Sequence, residues 1–225
     1  MNRSIFVTAL AAGSALAGAG YWLSRRPSPR ALPSTVIPII TPVIDLGVAE
    51  DVLEAMEHIR GDEVTVVLHT FGGCVTSCVM IANALRQFGR STAVVPYLAI
   101  SGGTLIALNA RHLQMGRSAA LSAVDPIVEG QRVKHLPEDK SKQGPNARAH
   151  EYEAAIGGFL LDTLSERLPG ASDKALGQAM DTFMGEHAPH EWPIRRMDVA
   201  ALGLEVSSAA PSWAQMVDAY RRRWW

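Results

Sequence analysis

The run Val64-Thr65-Val66-Val67-Leu68-His69 constrains this chain more than any other feature. It is apolar or β-branched at successive positions instead of alternating, which describes a strand buried on both faces, as in a parallel sheet. Phe71-Gly72-Gly73 follows it, and then a helical pattern runs from Val75 to Phe88. The same succession recurs downstream: a strand over Thr92–Pro96, a glycine-containing turn, and a helix over Gly102–Ala110. Upstream, Val36–Ile40 reads as a strand and Ala49–Arg60 as a helix with Val52, Leu53, Met56 and Ile59 on one face. Strands alternating with helices need crossover connections, so the predicted fold class is α/β with a parallel sheet.

The rest of the chain is organised around this core. Short extended pieces are expected near Leu113–Met115 and Ala120–Leu121. From Val128 to Asn146 no period emerges, and the composition predicts a mobile loop, functional or disordered. A long helix over Ala147–Leu168 ends at Pro169-Gly170, and Ser172-Asp173 caps another. Helices over Pro193–Leu202 and Ser212–Tyr220 flank a short Leu204–Val206 strand.

At the other end, Ile5 to Leu23 carries no charge and is bracketed by Arg3 and by Arg25, Arg26 and Arg30. About twenty residues of helix match the hydrocarbon thickness of a bilayer. Tyr21 and Trp22 stand where an interfacial aromatic belt would lie. Residues 1–24 are therefore read as a membrane anchor, 25–35 as a proline-rich linker and 36–225 as one domain. A cleavable signal peptide is the competing reading, but the basic flank is heavier after the apolar run, the reverse of a signal layout. The same arginines favour a cytoplasmic body. The basic-aromatic tail Arg221 to Trp225 reads as a frayed end or a second lipid contact. A net charge of −1 gives no reason to expect a nucleic-acid partner. Cys74 and Cys78, the only cysteines, form neither a disulfide framework nor a zinc set, and no metal or cofactor is expected. Cys74, after Gly72-Gly73 at a helix start, keeps a minority reading as a reactive thiol.

The two glycine turns carry the chemistry. Both end a strand and open a helix, at the sheet edge where α/β proteins place their sites. Helix N-termini expose N–H groups without intrahelical partners, which suits a developing oxyanion. The arrangement fits acyl transfer, with Ser101 attacking and the amides of Gly73 and Gly102 (with Gly72 in the same turn) holding the oxyanion. Locally, Ser101 before Gly102-Gly103 reads equally as a plain helix cap. The phosphate-binding fingerprints, Gly-Lys-Ser/Thr and G-x-G-x-x-G, are absent.

The run VTVVLHTFGG, then IANALRQFGRSTAVVPYLAISGGTLIALNA, LSAVDPIVEGQ and HAPHEWPIRRMDVAALGLEV resembles the serine dehydrogenase proteinase family, a relative of ClpP and signal peptide peptidase A. The resemblance spans about Val36 to Tyr220. It implies a ClpP/crotonase-like spiral of ββα units, homo-oligomerisation, a peptide or protein substrate and serine peptidase chemistry, with Ser101 at the nucleophile and Gly73 and Gly102 at the oxyanion turns. Phe71 departs from the proline usual before the glycines. So does the base: ClpP-like enzymes carry histidine where this chain has Asp125-Pro126-Ile127, whereas signal peptide peptidase A uses a downstream lysine. That window holds Lys134, Lys140 and Lys142, followed by His150. Lys142 is the first candidate base, Lys140 the second and His150 the third. His190, in the closing motif, is read as support for the base or as a structural tie, Asp125 as a loop-fixing residue, and His69 as a strand end that lines the site or is merely structural. Two alternatives remain: a crotonase-like acyl-CoA enzyme and a catalytically silent membrane scaffold.

Overall fold

A computed structural model describes residues 35–139, 144–185 and 189–224. Five strands, β1 (Val36–Ile40), β2 (Glu63–His69), β3 (Arg90–Val95), β5 (His112–Met115) and β10 (Ser207–Ser208), form a wholly parallel sheet in the order β1-β2-β3-β5-β10. Its strands are connected through helices α1 (Leu46–Glu57), α2 (Val75–Arg86) and α3 (Gly102–Asn109). The start of α1 is set by Asp45, whose carboxylate accepts the Val48 N–H at 2.9 Å, so the helix begins ahead of its apolar stripe.

Both faces of the sheet are covered, as the unbroken apolar run in β2 requires. Val64, Val66 and Leu68 point into the main core with Ile81, Leu85 and Ile106, all essentially inaccessible. Each such side chain contributes about 1.5–3 kcal/mol. Val67 points the opposite way, with Val94, to meet Val217 of the C-terminal helix α7 (Pro211–Trp224). The long helix α4 (Pro145–Arg167) buries Ile156, Leu160 and Leu164, spaced four apart on one face. Arg167 ends it by donating to the carbonyls of Leu108, Ala110 and Glu205, which ties α4 to α3 and to the approach to β10.

A second sheet is small and positions the site. Its strands β4 (Leu98–Ala99), β6 (Ala120–Leu121) and β9 (Ile194–Arg195) lie in the order β4-β6-β9, the first pair parallel and the second antiparallel. α5 (Asp173–Met184) and α6 (Arg196–Ala201) flank β9 in the chain. The aperiodic stretch after Pro126 opens with a tight hairpin, β7 (Ile127–Val128) and β8 (Gln131–Arg132), turned by Glu129 at φ 52° and Gly130 at φ 79°. Two consecutive positive φ values are what a right-twisted two-residue hairpin needs.

The expected helix over Pro193–Leu202 is replaced at its start by β9 and spans only Arg196–Ala201, because Ile194 and Arg195 pair with β6. The long helix starts two residues early, and the expected Leu204–Val206 strand forms instead at Ser207–Ser208, where it meets β5. The expected membrane helix over residues 5–23 lies outside the described residues. Among those described, no helix is long and apolar enough to cross a membrane.

Candidate active site

The two glycine turns run side by side. Thr70, just past β2, takes the Leu98 carbonyl on its N–H at 3.3 Å and offers its own carbonyl to Ile100 N–H at 3.0 Å. Its hydroxyl accepts the Gly72 N–H at 3.1 Å, which folds the first turn against the second. A Cβ on Gly72 would lie 2.7 Å from the Ile100 carbonyl oxygen and 2.9 Å from the Ser101 Cβ, so only glycine allows this approach. On Gly102 it would lie 2.2 Å from the buried Sγ of Cys78. The Gly73 and Gly102 N–H groups have no protein acceptor among the described residues, leaving two donors near Ser101.

Ser101 sits where a helix cap would, but it does not behave as one. Its side chain makes no capping hydrogen bond, and its backbone lies at φ 54°, ψ −119°, outside the extended region a cap adopts. Positive φ at a non-glycine residue costs about 1–3 kcal/mol and is kept where surrounding structure enforces it. Here the Ser101 N–H donates to Ser122 Oγ at 2.8 Å, and the Ser101 carbonyl accepts Leu105 N–H at 3.2 Å as α3 begins.

The three-stranded sheet brings two further residues to the same edge. Ser101 follows β4 and Asp125 follows β6, which is parallel to it, while His190 precedes the antiparallel β9. Asp125 is inaccessible and His190 nearly so. His190 Nδ1 lies 3.1 Å from Asp125 Oδ1. A carboxylate only accepts, so Nδ1 carries a proton, and in the neutral imidazole Nε2 keeps the lone pair. Arg132 donates through Nε to the other Asp125 oxygen and through Nη2 to the Gly185 carbonyl at 2.6 Å. Burial alone would raise the Asp125 carboxyl, but the hydrogen bonds from His190 and Arg132 outweigh it and hold the group below its ordinary 3.8. Asp125 is thus an ionised, fully paired carboxylate beside an imidazole of fixed tautomer.

The other candidates lie elsewhere or outside the described residues. Lys140 and Lys142 fall outside them. Lys134 donates to the carbonyls of Met184 and Gly185 at the end of α5. His150 is held by its own helix and the preceding segment, with Nε2 3.3 Å from the Leu136 carbonyl and Nδ1 3.5 Å from Glu153. His69 points with Val67 towards α7 and packs edge-on against Tyr97, ring centroids 5.9 Å apart. Burial and the Cys74 thiol push the Cys78 thiol up to about 12, so it stays protonated. Cys74 is exposed at the start of α2. Arg132 and Ser122 were not singled out from sequence. Both act across strand pairings that no local pattern announces.

Comparison with known proteins agrees with this architecture. Residues 31–222 match the family of ClpP-like SDH-type serine proteinases, SDH denoting serine dehydrogenase. The uncharacterized protein MJ0137 of Methanocaldococcus jannaschii is 30% identical over 177 residues, covering 72% of this chain and 60% of its own length. A second uncharacterized protein of that organism, MJ1495, is 24% identical over 174 residues, covering 72% of this chain and 59% of its own length. The chain thus spans about 60% of the length of these relatives. Among solved structures, ClpP1 from Listeria monocytogenes superposes with a TM-score of 0.55 at 15% identity, over 80% of this chain and 95% of that one. At that identity the likeness is one of fold. With the α/β architecture, the two apposed glycine turns and the family match over most of its length, the chain belongs to the ClpP-like SDH-type serine proteinases.

Proposed function

We propose that the chain is a serine peptidase whose catalytic groups are Ser101, His190 and Asp125, arranged in the chain order Ser-Asp-His. The observation that carries this reading is the buried Asp125–His190 hydrogen bond at the sheet edge from which Ser101 emerges. In the first half-reaction His190 Nε2 removes the Ser101 hydroxyl proton as Oγ attacks the scissile carbonyl carbon. The resulting oxyanion is stabilised by the Gly73 and Gly102 N–H groups. His190 then passes its proton to the departing amine, leaving an acyl-enzyme. Water, deprotonated by the same nitrogen, releases the acid and restores Ser101. Asp125 holds the imidazole tautomer and stabilises the transient imidazolium.

This reading replaces the lysine bases with His190. It also disfavours crotonase-like chemistry, because the Asp125 carboxylate is already engaged by His190 and Arg132 and has no lone role as an acid–base group. A peptide substrate is supported by large apolar side chains exposed beside the catalytic residues: Phe71 before the glycines, Ile127 after Asp125 and Trp192 after His190. The proposal retains membrane attachment through residues 5–23, with a cytoplasmic domain and self-association. Alkaline carbonate extraction of the full chain against a chain lacking residues 1–24 tests the anchor.

The central experiment is labelling with a fluorophosphonate. Wild type should label; Ser101→Ala and His190→Ala should not. A folded wild type that stays unlabelled would return the silent-scaffold reading.

A further inference from the structure

We infer that Ser122 is a positioning residue for the nucleophile: its buried hydroxyl holds Ser101 in its strained backbone conformation and fixes its distance from the Asp125–His190 pair. The inference rests on the reading of Ser101 as the nucleophile.

Ser122 is inaccessible to solvent, and every polar atom it offers to this region is used. Its Oγ accepts the Ser101 N–H at 2.8 Å and donates its own proton to the Ala123 carbonyl at 2.9 Å. Its N–H donates to Thr104 Oγ1 at 2.9 Å, and that hydroxyl donates to the Ala99 carbonyl at 2.7 Å. The four bonds make a closed frame. One side is the elbow Ala99–Ser101–Thr104, and the other is the strand exit Ser122–Ala123.

The frame answers a specific need. Ser101 is one of only two non-glycine residues at positive φ among those described, and the other, Glu129, lies in the β7–β8 hairpin turn. In this conformation the Ser101 N–H turns away from α3 and requires an acceptor that neither a helix nor a ladder provides. A hydroxyl serves because it can accept from Ser101 while donating to Ala123. With Ser122 changed to alanine both partners lose their bond, and nothing on that side opposes relaxation of Ser101 towards negative φ. Such a rotation re-aims the Ser101 side chain.

A second consequence concerns spacing. Ser122 stands three residues before Asp125, and the intervening Val124 N–H is fixed to the Phe183 carbonyl at 2.8 Å. The hydroxyl thereby couples the elbow to the segment that carries the acid–base pair. Because the Ser101 N–H is committed to Ser122, the oxyanion donors are those of Gly73 and Gly102.

Ser122→Ala and Ser122→Thr in the full chain test this. Fluorophosphonate labelling rates and hydrolysis of fluorescent casein are read per folded molecule. For Ser122→Ala we expect kcat and the labelling rate to fall roughly 10- to 100-fold with KM within about twofold, as displacement of a reacting atom requires. Ser122→Thr, which keeps the hydroxyl, should restore most of the rate. If the alanine variant does not fold, Thr104→Val removes the next bond of the frame and should give the same kcat–KM split. An alanine variant as fast as wild type per folded molecule, whatever its melting temperature, would reduce Ser122 to a stability residue. Ser101→Ala run beside them separates the two readings, since residual labelling there overturns the nucleophile itself.

Discussion

The imidazole Nδ1 of His190 lies 3.1 Å from Oδ1 of Asp125, although the two residues are 65 positions apart in the chain. What joins them is the antiparallel pairing of β6 and β9, with Leu121 opposite Ile194. On the proposed mechanism the bond determines which imidazole nitrogen serves Ser101. Asp125→Asn offers an amide in place of an acceptor-only carboxylate and frees the wrong tautomer. It should lower kcat by about 10⁴-fold while leaving the fold in place. His190→Ala should lower it at least as far. Steady-state hydrolysis with circular dichroism as a folding control checks both.

Asp125 also matters for stability. Its carboxylate is a counter-charge of Arg132, whose side chain is only 10% exposed. Removing it breaks a largely buried, hydrogen-bonded ion pair, which should cost about 3 kcal/mol. The Asp125 carboxyl is held below 3.8 in the folded chain, so its contribution is complete above that value and disappears as pH falls through the lowered one. Denaturant unfolding of wild type and Asp125→Asn should therefore show a gap that narrows only below about pH 4. A gap that narrowed between pH 7 and 5 would mean another group is responsible.

Gly102 tests the packing beneath the oxyanion turn. Gly102→Ala would bring Cβ within 2.2 Å of Cys78 Sγ and displace the turn, so labelling should slow by about 100-fold, the loss typical of one oxyanion donor. Adding Cys78→Gly to the same chain removes the obstructing sulfur and should recover much of that loss. Independent, additive effects of the two substitutions would show that the contact is not the cause.

Much of the central sheet was legible because its signals are local. The β2 run, the apolar face Val52, Leu53, Met56 and Ile59 of the first helix and the paired glycine turns each declare themselves within a dozen residues. Ser101 could be found but not distinguished from a cap, since the difference lies in a backbone angle of 54°. His190 as the proposed base was not legible. The segment where ClpP-like enzymes carry histidine holds Asp125-Pro126-Ile127 here, and the nearest candidate bases downstream of it are lysines. The position of His190 depends on β9, a strand of two residues with no periodicity, whose partner is set by long-range packing. The Ser122 frame and the Arg132 pair follow from the same pairings.

On the opposite face of the sheet, His69 is a buried imidazole whose Nδ1 has no hydrogen-bond partner among the described residues. Burial, and after it Arg221, lower its pKa from 6.5 against an upward pull from Asp218. Tyr97, which touches it, donates to Asp218 at 2.8 Å and so anchors α7. The unfolded chain takes up a proton near 6.5 that the folded chain resists. The associated stability is complete above 6.5 and is lost as pH falls from there towards the lowered value. His69→Phe keeps the aromatic contact and removes the titration. Its melting temperature should decline less than that of wild type between about pH 7 and pH 5. Equal declines would place the sensitivity elsewhere.

The order of strands in the small sheet also affects how the protein comes into being. During synthesis Ser101 and Asp125 leave the ribosome first, and β9 delivers the imidazole only after 65 further residues have been added beyond Asp125. On the proposed reading, a nascent chain stalled or cut before that point would hold the strained serine without its base. Hydrolytic competence would then arrive only with His190 and β9, after most of the central sheet has been translated.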